Sequence, residues 1–203
     1  MDKIIFATGN EGKMREIREI FKDAPYSVVS MKEAGITADI VEDGTTFEEN
    51  ALIKARAVAG VSGAVAMADD SGLEVDFLDK APGVYSARFL GEDTSYEIKN
   101  QYILDKLKDV PDERRTARFV CAIAVAFPDG RTAVRTAAIE GRIAYEPAGE
   151  NGFGYDPIFY VTEYGRTTAE LTMEQKNRIS HRAKALAAIK DWLFSLEGKG
   201  DCR

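Results

Sequence analysis

The chain opens on the feature that most limits its fold. A short apolar run, Ile4 to Ala7, gives way to Thr8-Gly9-Asn10-Glu11-Gly12-Lys13 and then to an amphipathic segment. The apolar run reads as a short buried strand. From Glu11 to Lys22, Met14, Ile17, Ile20 and Phe21 recur at helical spacing, which predicts a helix. Tyr26 to Ser30 predicts a second strand. A β-α-β opening of this kind points to an α/β sheet.

The remaining elements fit that start. Thr46-Phe47-Glu48-Glu49 has the pattern of a capping box and opens a helix to about Ala59, with Phe47, Ala51, Ala55 and Val58 inward. Ala64 to Ala68 reads as a strand that ends at Asp69-Asp70-Ser71-Gly72. Thr94-Ser95-Tyr96-Glu97 is a second box, opening a helix towards Lys108. Arg115 to Phe127 alternates large and small apolar residues, so both faces are expected to be buried. After the turn Pro128-Asp129-Gly130, Arg131 to Tyr145 returns as its partner. Ser180 is expected to cap a last helix carrying Leu186, Ile189, Trp192, Leu193 and Leu196. The expected organisation is a single domain over residues 1–197, with a flexible tail over 198–203. A hairpin this long projects beyond a compact sheet, so we expect two lobes around a ligand-binding cleft.

Composition removes several function classes. Lys and Arg number 27 against 34 Asp and Glu, for a net charge of −7, which argues against a nucleic-acid binder. No apolar stretch is long enough to span a bilayer, and the N-terminus lacks signal-peptide anatomy. With only Cys121 and Cys202 no disulfide framework is expected, so the expected setting is reducing and cytoplasmic, without membrane partners. One histidine and two cysteines cannot make a typical zinc site, and no G-x-S-x-G elbow is present. Any metal should be a hard ion held by carboxylates.

Four segments carry chemistry. The first is the turn from Thr8 to Lys13, where backbone N–H groups, a helix N-terminus, glycines and Lys13 make a phosphate cradle. It is not a Walker A loop, which would need Gly at Ala7 and Ser or Thr at Met14. Read blandly, it is a plain strand-to-helix turn with Lys13 paired to Glu16. The second is Lys54, which has no acid three or four residues away to pair with on its helix. The third is Asp69-Asp70. Neighbours on a strand point to opposite faces, so one carboxylate should serve chemistry and the other should anchor. Magnesium takes only one or two protein carboxylates, and Glu42 is a candidate for the second. The fourth is Gly152-Phe153-Gly154-Tyr155-Asp156-Pro157, whose rings either stack on a base or plug the core. Lys176, His181 and Arg182 follow. Arg182 donates only, so beside a purine it favours a 6-keto oxygen over a 6-amino group.

In this order, these segments resemble the inosine triphosphatase (Ham1-like) family, the dITP/XTP pyrophosphatases. The likeness runs from Ile4 to about Leu196. It rests on Ala7-Thr8-Gly9-Asn10 with Lys13, Thr46-Phe47-Glu48-Glu49-Asn50-Ala51 with Lys54, and Ala68-Asp69-Asp70-Ser71-Gly72-Leu73. It continues through Ala81 to Arg88, Gly152 to Pro157 and Ser180-His181-Arg182. The resemblance implies an elongated mixed sheet with flanking helices, a homodimer, and Mg²⁺-dependent hydrolysis of ITP, dITP and XTP to monophosphate and pyrophosphate. It also implies that Thr8, Gly9, Asn10, Glu11, Gly12 and Lys13 contact the triphosphate and that Lys54 sits by the phosphates. Asp70 would be the proton acceptor and a metal contact, Glu42 a further metal contact, and Ser71 a substrate contact. Phe153, Gly154, Tyr155, Asp156, Lys176, His181 and Arg182 would form the base and nucleotide site. Two rivals remain at this point: a Maf-like pyrophosphatase acting on other nucleotides, and a non-catalytic nucleotide-binding protein.

Overall fold

The computed structural model describes residues 3–197; the expected tail over 198–203 lies outside the described residues. The chain is a mixed α/β protein with one seven-stranded sheet, and it divides into two compact units. The first takes the residues up to Asp70, then Cys121–Ala137 and the chain from His181 onward. The second takes Ser71–Val120 and Ala138–Ser180.

In the first unit, β1 (Lys3–Phe6) pairs in parallel with β2 (Ser27–Ser30) on one side and β3 (Ala66–Val75) on the other. The helix between β1 and β2, α1 (Glu11–Phe21), buries Met14, Ile17 and Phe21, as the spacing predicts. The last helix, α5 (His181–Glu197), adds Ala185, Leu186, Ile189 and Leu193 to the same core, with Ile4, Phe6 and Met67. Each of the leucine, isoleucine, phenylalanine and methionine side chains contributes about 1.5–3 kcal/mol when fully buried. The capping box at Thr46 and Glu49 is present and starts α2 (Phe47–Ser62). That helix runs past Ala59 and stops at Gly63, which takes a left-handed φ of 61° and donates its N–H to Ala59 O. Glycine adopts that conformation at little cost.

The second unit holds α3 (Tyr96–Lys106), β6 (Phe159–Val161), β7 (Arg166–Thr167) and α4 (Met173–Ile179). Its core gathers Leu73, Val75, Ile103, Leu107, Ile139, Ile143, Ile158 and Phe159. The long strands β4 (Thr116–Ala126) and β5 (Thr132–Ile143) contribute to both units, as does β3. Phe127 N–H donates to Arg131 O at one end of the β4–β5 hairpin, and Ile143 N–H donates to Arg115 O at the other. The strand order is β2-β1-β3-β4-β5-β6-β7, with β6 antiparallel to both β5 and β7.

Two expectations need correction. β3 does not end at Ala68 but runs through Asp69-Asp70-Ser71-Gly72 to Val75, because ion pairs neutralise carboxylates that the sheet would otherwise reject. The N-cap of α3 is Ser95, which accepts from Ile98 N–H; Thr94 instead donates its hydroxyl to Leu90 O, so the second box does not form. The short β6, β7 and α4 have too few residues to show a period.

Arg115 illustrates how the second unit is closed. It is almost wholly buried, and its guanidinium donates to the carbonyls of Leu107, Val110, Ile143 and Ala144. It thereby staples the end of α3 to the end of β5. Leaving buried acceptors without a donor costs about 1–3 kcal/mol each. Arg115→Met should lower stability by about 2–4 kcal/mol in urea unfolding.

Candidate functional site

The first unit gathers one set of the expected residues. Between β1 and α1, Asn10 accepts Lys13 N–H on its side-chain oxygen at 3.0 Å, which makes it the N-cap of α1. Thr8 Oγ1 accepts Asn10 N–H at 3.2 Å. The Asn10 carboxamide oxygen is therefore spent on the helix, leaving its NH₂ as the donor end. Gly9, Asn10 and Glu11 are exposed, and Thr8, Gly12 and Lys13 are half-buried. A Cβ at Gly9 would meet no atom within 4 Å, so the fold itself does not demand glycine there. What a bare backbone provides at this position is close approach for something else.

Asp69 and Asp70 face different partners, as strand alternation predicts. The buried Asp69 Oδ2 lies 2.9 Å from Lys13 Nζ and 3.4 Å from Arg182 Nε. Arg182 is itself buried and donates a further hydrogen bond to Glu16. Lys13 therefore pairs with Asp69 rather than with Glu16. Burial disfavours the Asp69 charge, but Lys13 and Arg182 outweigh it and hold the carboxyl well below its ordinary range. Burial likewise opposes the Arg182 charge, and Asp69 with Glu16 more than restores it. His181, beside Arg182 at the start of α5, is also buried.

Asp70 sits in the other group. Its Oδ2 accepts from Asn50 Nδ2 at 3.2 Å, and its Oδ1 lies 3.6 Å from Lys54 Nζ. Lys54 Nζ donates to Glu42 Oε2 at 2.7 Å. The lysine without a helical partner thus finds two acids brought in from a loop and a strand. Burial pushes the Asp70 carboxyl upward, only partly countered by Lys54 and Lys13. For Lys54 the burial penalty is outweighed by Asp70, Asp69 and Glu42, which raise its pKa. Among the described residues, no group of three or more His, Cys, Asp or Glu side chains is placed to hold a metal. Two carboxylates converging on one cation still match the way magnesium is held when phosphates and water supply its other ligands.

The second unit carries the aromatic loop. Asp156 is buried and accepts from Phe153 N–H, Thr168 Oγ1 and Lys176 Nζ, each at 2.8 Å. Gly152 lies at φ 81°, and a Cβ there would stand 2.2 Å from Asp156 Oδ2, so only glycine fits. Tyr155 takes the core-plugging role: it is buried, donates its hydroxyl to Ser86 O at 2.8 Å and meets Tyr96 edge to face. Phe153 remains half-buried, with Lys176 Nζ 4.9 Å from its ring centroid. Asn100 Nδ2 donates to Gly154 O at 3.1 Å. Ser71, half-buried, follows Asp70 on β3.

Two contributors, Asn50 and Glu16, are named in the sequence reading but given no place in the site. Both had a signal, since each is a polar residue on a helix face that packs inward. Such a residue needs a partner.

A Ham1 family model matches residues 4–192. A protein of Desulforamulus reducens named dITP/XTP pyrophosphatase is 53% identical, covering 96% of this chain and 96% of its own. A Bacillus subtilis protein of the same name is 49% identical, covering 95% of this chain and 98% of its own. Among solved structures, a HAM1 protein from Coxiella burnetii superposes with a TM-score of 0.87 at 41% identity, covering 96% of this chain and 100% of that one.

The Asp69–Arg182–Glu16 group makes a sharp stability test. Arg182→Met takes a buried cation away from Glu16 and from Asp69, which keeps Lys13, and should cost about 3–5 kcal/mol. Asp69 has a depressed pKa in the folded wild type, so the stabilisation it provides is present above the ordinary carboxylate range and fades as the pH falls through it. The variant lacks part of that depression and loses less on acidification. The stability gap between the two, measured by urea unfolding at pH 7 and pH 3, should therefore narrow at the lower pH.

Proposed function

The chain belongs to the Ham1 family, and from that premise we propose that it is a nucleoside-triphosphate pyrophosphatase acting on ITP, dITP and XTP. The products are the nucleoside monophosphate and pyrophosphate. The observation that carries this reading is the meeting of Asp70, Glu42 and Lys54 in a chain so close to proteins named dITP/XTP pyrophosphatase.

The roles follow from the chemistry of each group. The N–H groups of Thr8 to Lys13 and the Lys13 ammonium suit phosphate oxygens, and the exposed Gly9 lets them approach. Lys54 adds positive charge beside Asp70. Asp70 takes the proton from a water whose oxygen attacks the α-phosphorus. The bond from that phosphorus to the bridging oxygen breaks, and pyrophosphate leaves. Burial makes Asp70 a better proton acceptor than a surface aspartate. Glu42 and Asp70 would hold Mg²⁺, which when bound neutralises charge on the phosphate oxygens. Ser71 is assigned a substrate contact.

Phe153 is assigned to stacking on the purine, worth about 1–3 kcal/mol per base. Gly154, Tyr155 and Asp156 shape that loop, and Lys176 completes it. Donors from His181 and Arg182 are assigned to the 6-keto oxygen. A site whose donors would face the amino group of adenine can reject it by roughly 10⁴-fold. Two further assignments are ours. We place the enzyme in the cytoplasm; among the described residues no helix is long and apolar enough to cross a membrane. We also take it to be a homodimer, supported by the exposed apolar side chains Tyr85, Leu90, Ile98 and Tyr102.

Product analysis with ITP, XTP and ATP, with and without magnesium, tests the reading. Pyrophosphate should appear from ITP and XTP only with the metal, and ATP should be turned over at least about 10³-fold more slowly. Asp70→Asn should lower kcat by about 10²–10⁴-fold without loss of fold, as expected on removing a general base. Orthophosphate as the product would favour another nucleotide enzyme, and binding without hydrolysis would favour a binding protein.

A further inference from the structure

Helix α2 holds the two candidate metal carboxylates through two side chains one turn apart. Asn50 and Lys54 lie at i and i+4 on its buried face, among Phe47, Ala51, Ala55 and Val58. Lys54 reaches Glu42 and Asp70 by charge. Asn50 reaches Asp70 and the loop just beyond Glu42 by hydrogen bonds. It is fully buried; its Oδ1 accepts Gly44 N–H at 2.8 Å, two residues beyond Glu42, and its Nδ2 donates to Asp70 Oδ2 at 3.2 Å.

Both ends of this link are confined. A Cβ on Gly44 would stand 2.7 Å from Asn50 Oδ1, 2.8 Å from Glu49 Cβ and 3.0 Å from Asn50 N, so the loop is pressed against the helix there. The start of the helix is fixed in turn, since Thr46 Oγ1 accepts Glu49 N–H at 3.1 Å and the Glu49 carboxylate accepts Thr45 N–H at 2.7 Å. A carboxamide suits this place because it accepts at one end and donates at the other. A leucine of similar size would fill the space and hold neither Gly44 nor Asp70.

We propose that Asn50 is a positioning residue for the reaction: its carboxamide sets the Asp70 carboxylate relative to the segment that carries Glu42. The inference rests on the reading that Asp70 and Glu42 serve hydrolysis. It predicts a kinetic lesion that a mere packing residue would not produce, because misplacing a reacting group slows the chemical step while substrate binding is spared.

Three variants separate the possibilities. Asn50→Asp keeps an acceptor for Gly44 but puts an oxygen opposite Asp70. Asn50→Leu removes both links. Gly44→Ala leaves Asn50 intact and pushes the loop off it. Each should lower kcat for ITP at saturating magnesium by about 10–100-fold, with KM changed by less than about threefold. In substrate-free protein, Asn50→Leu and Gly44→Ala should also weaken Mn²⁺ binding, followed by electron paramagnetic resonance, by about fivefold or more. Folding is checked by thermal melting, and Asn50→Ser replaces Asn50→Leu if the latter does not fold. Folded variants that keep kcat and Mn²⁺ affinity within about twofold overturn the inference. Failure of the wild type to release pyrophosphate from ITP, or an Asp70→Asn enzyme with its rate intact, overturns the underlying reading instead.

Discussion

Two buried aspartates on successive positions of one strand set the terms for the first unit. A carboxylate taken out of water without a partner costs several kcal/mol, and two neighbours on a strand point to opposite faces, so each finds its nearest partner on a different side. Asp69 therefore draws Lys13 from the start of α1 and Arg182 from the start of α5. Asp70 draws Lys54 and Asn50 from α2. Three helices are thus tied to β3 by charge as well as by apolar packing. The polar ends of α1 and α5 are fixed at the strand positions where chemistry is assigned. The same constraint explains why β3 continues through Asp69 and Asp70: once each charge is met, the backbone has no reason to leave the sheet.

Much of this was legible in residue order. The β-α-β opening, the Thr46 box, the β4–β5 hairpin and the different partners of Asp69 and Asp70 all follow from local pattern. What local pattern cannot carry is pairing across the chain. Asp69 and Arg182 are 113 residues apart, and nothing near either one names the other. Arg182 reads alone as a free set of donors, while the structure shows its guanidinium held by Glu16 and Asp69. Lys54 was conspicuous because it lacked a helical partner, yet its true partners are set by the fold. The end of β3 was misplaced for a related reason: a polar residue signals a turn only when its charge is unmet.

The aromatic loop of the second unit shows a different economy. Its carboxylate, Asp156, has its acceptor capacity directed at Phe153 N–H, Thr168 and Lys176, so it shapes the loop. Its two rings, equivalent in the sequence, are divided by burial: Tyr155 locks into the core through Ser86, and Phe153 keeps a half-open face. Lys176 joins the two halves of this arrangement, bonded to Asp156 and standing over Phe153. Loss of Asp156 would release the loop backbone and the lysine together.

The charge balance of the first cluster bears on why a divalent cation belongs in the reaction. Among the described residues, Lys13, Lys54 and Arg182 are each already engaged by carboxylates, and the acids Glu16, Glu42, Asp69 and Asp70 outnumber them. The chain as a whole carries a net charge of −7. A triphosphate approaching such a cluster meets no surplus of positive charge, and the buried setting screens little of the repulsion. Lysines that are paired in advance are well placed but supply no net attraction. Holding the phosphates then requires positive charge that the side chains do not provide. In the proposed reading Glu42 and Asp70 would recruit it only if their separation suited a shared ion, which would give a physical reason for positioning Asp70 and the Glu42 segment through the start of α2.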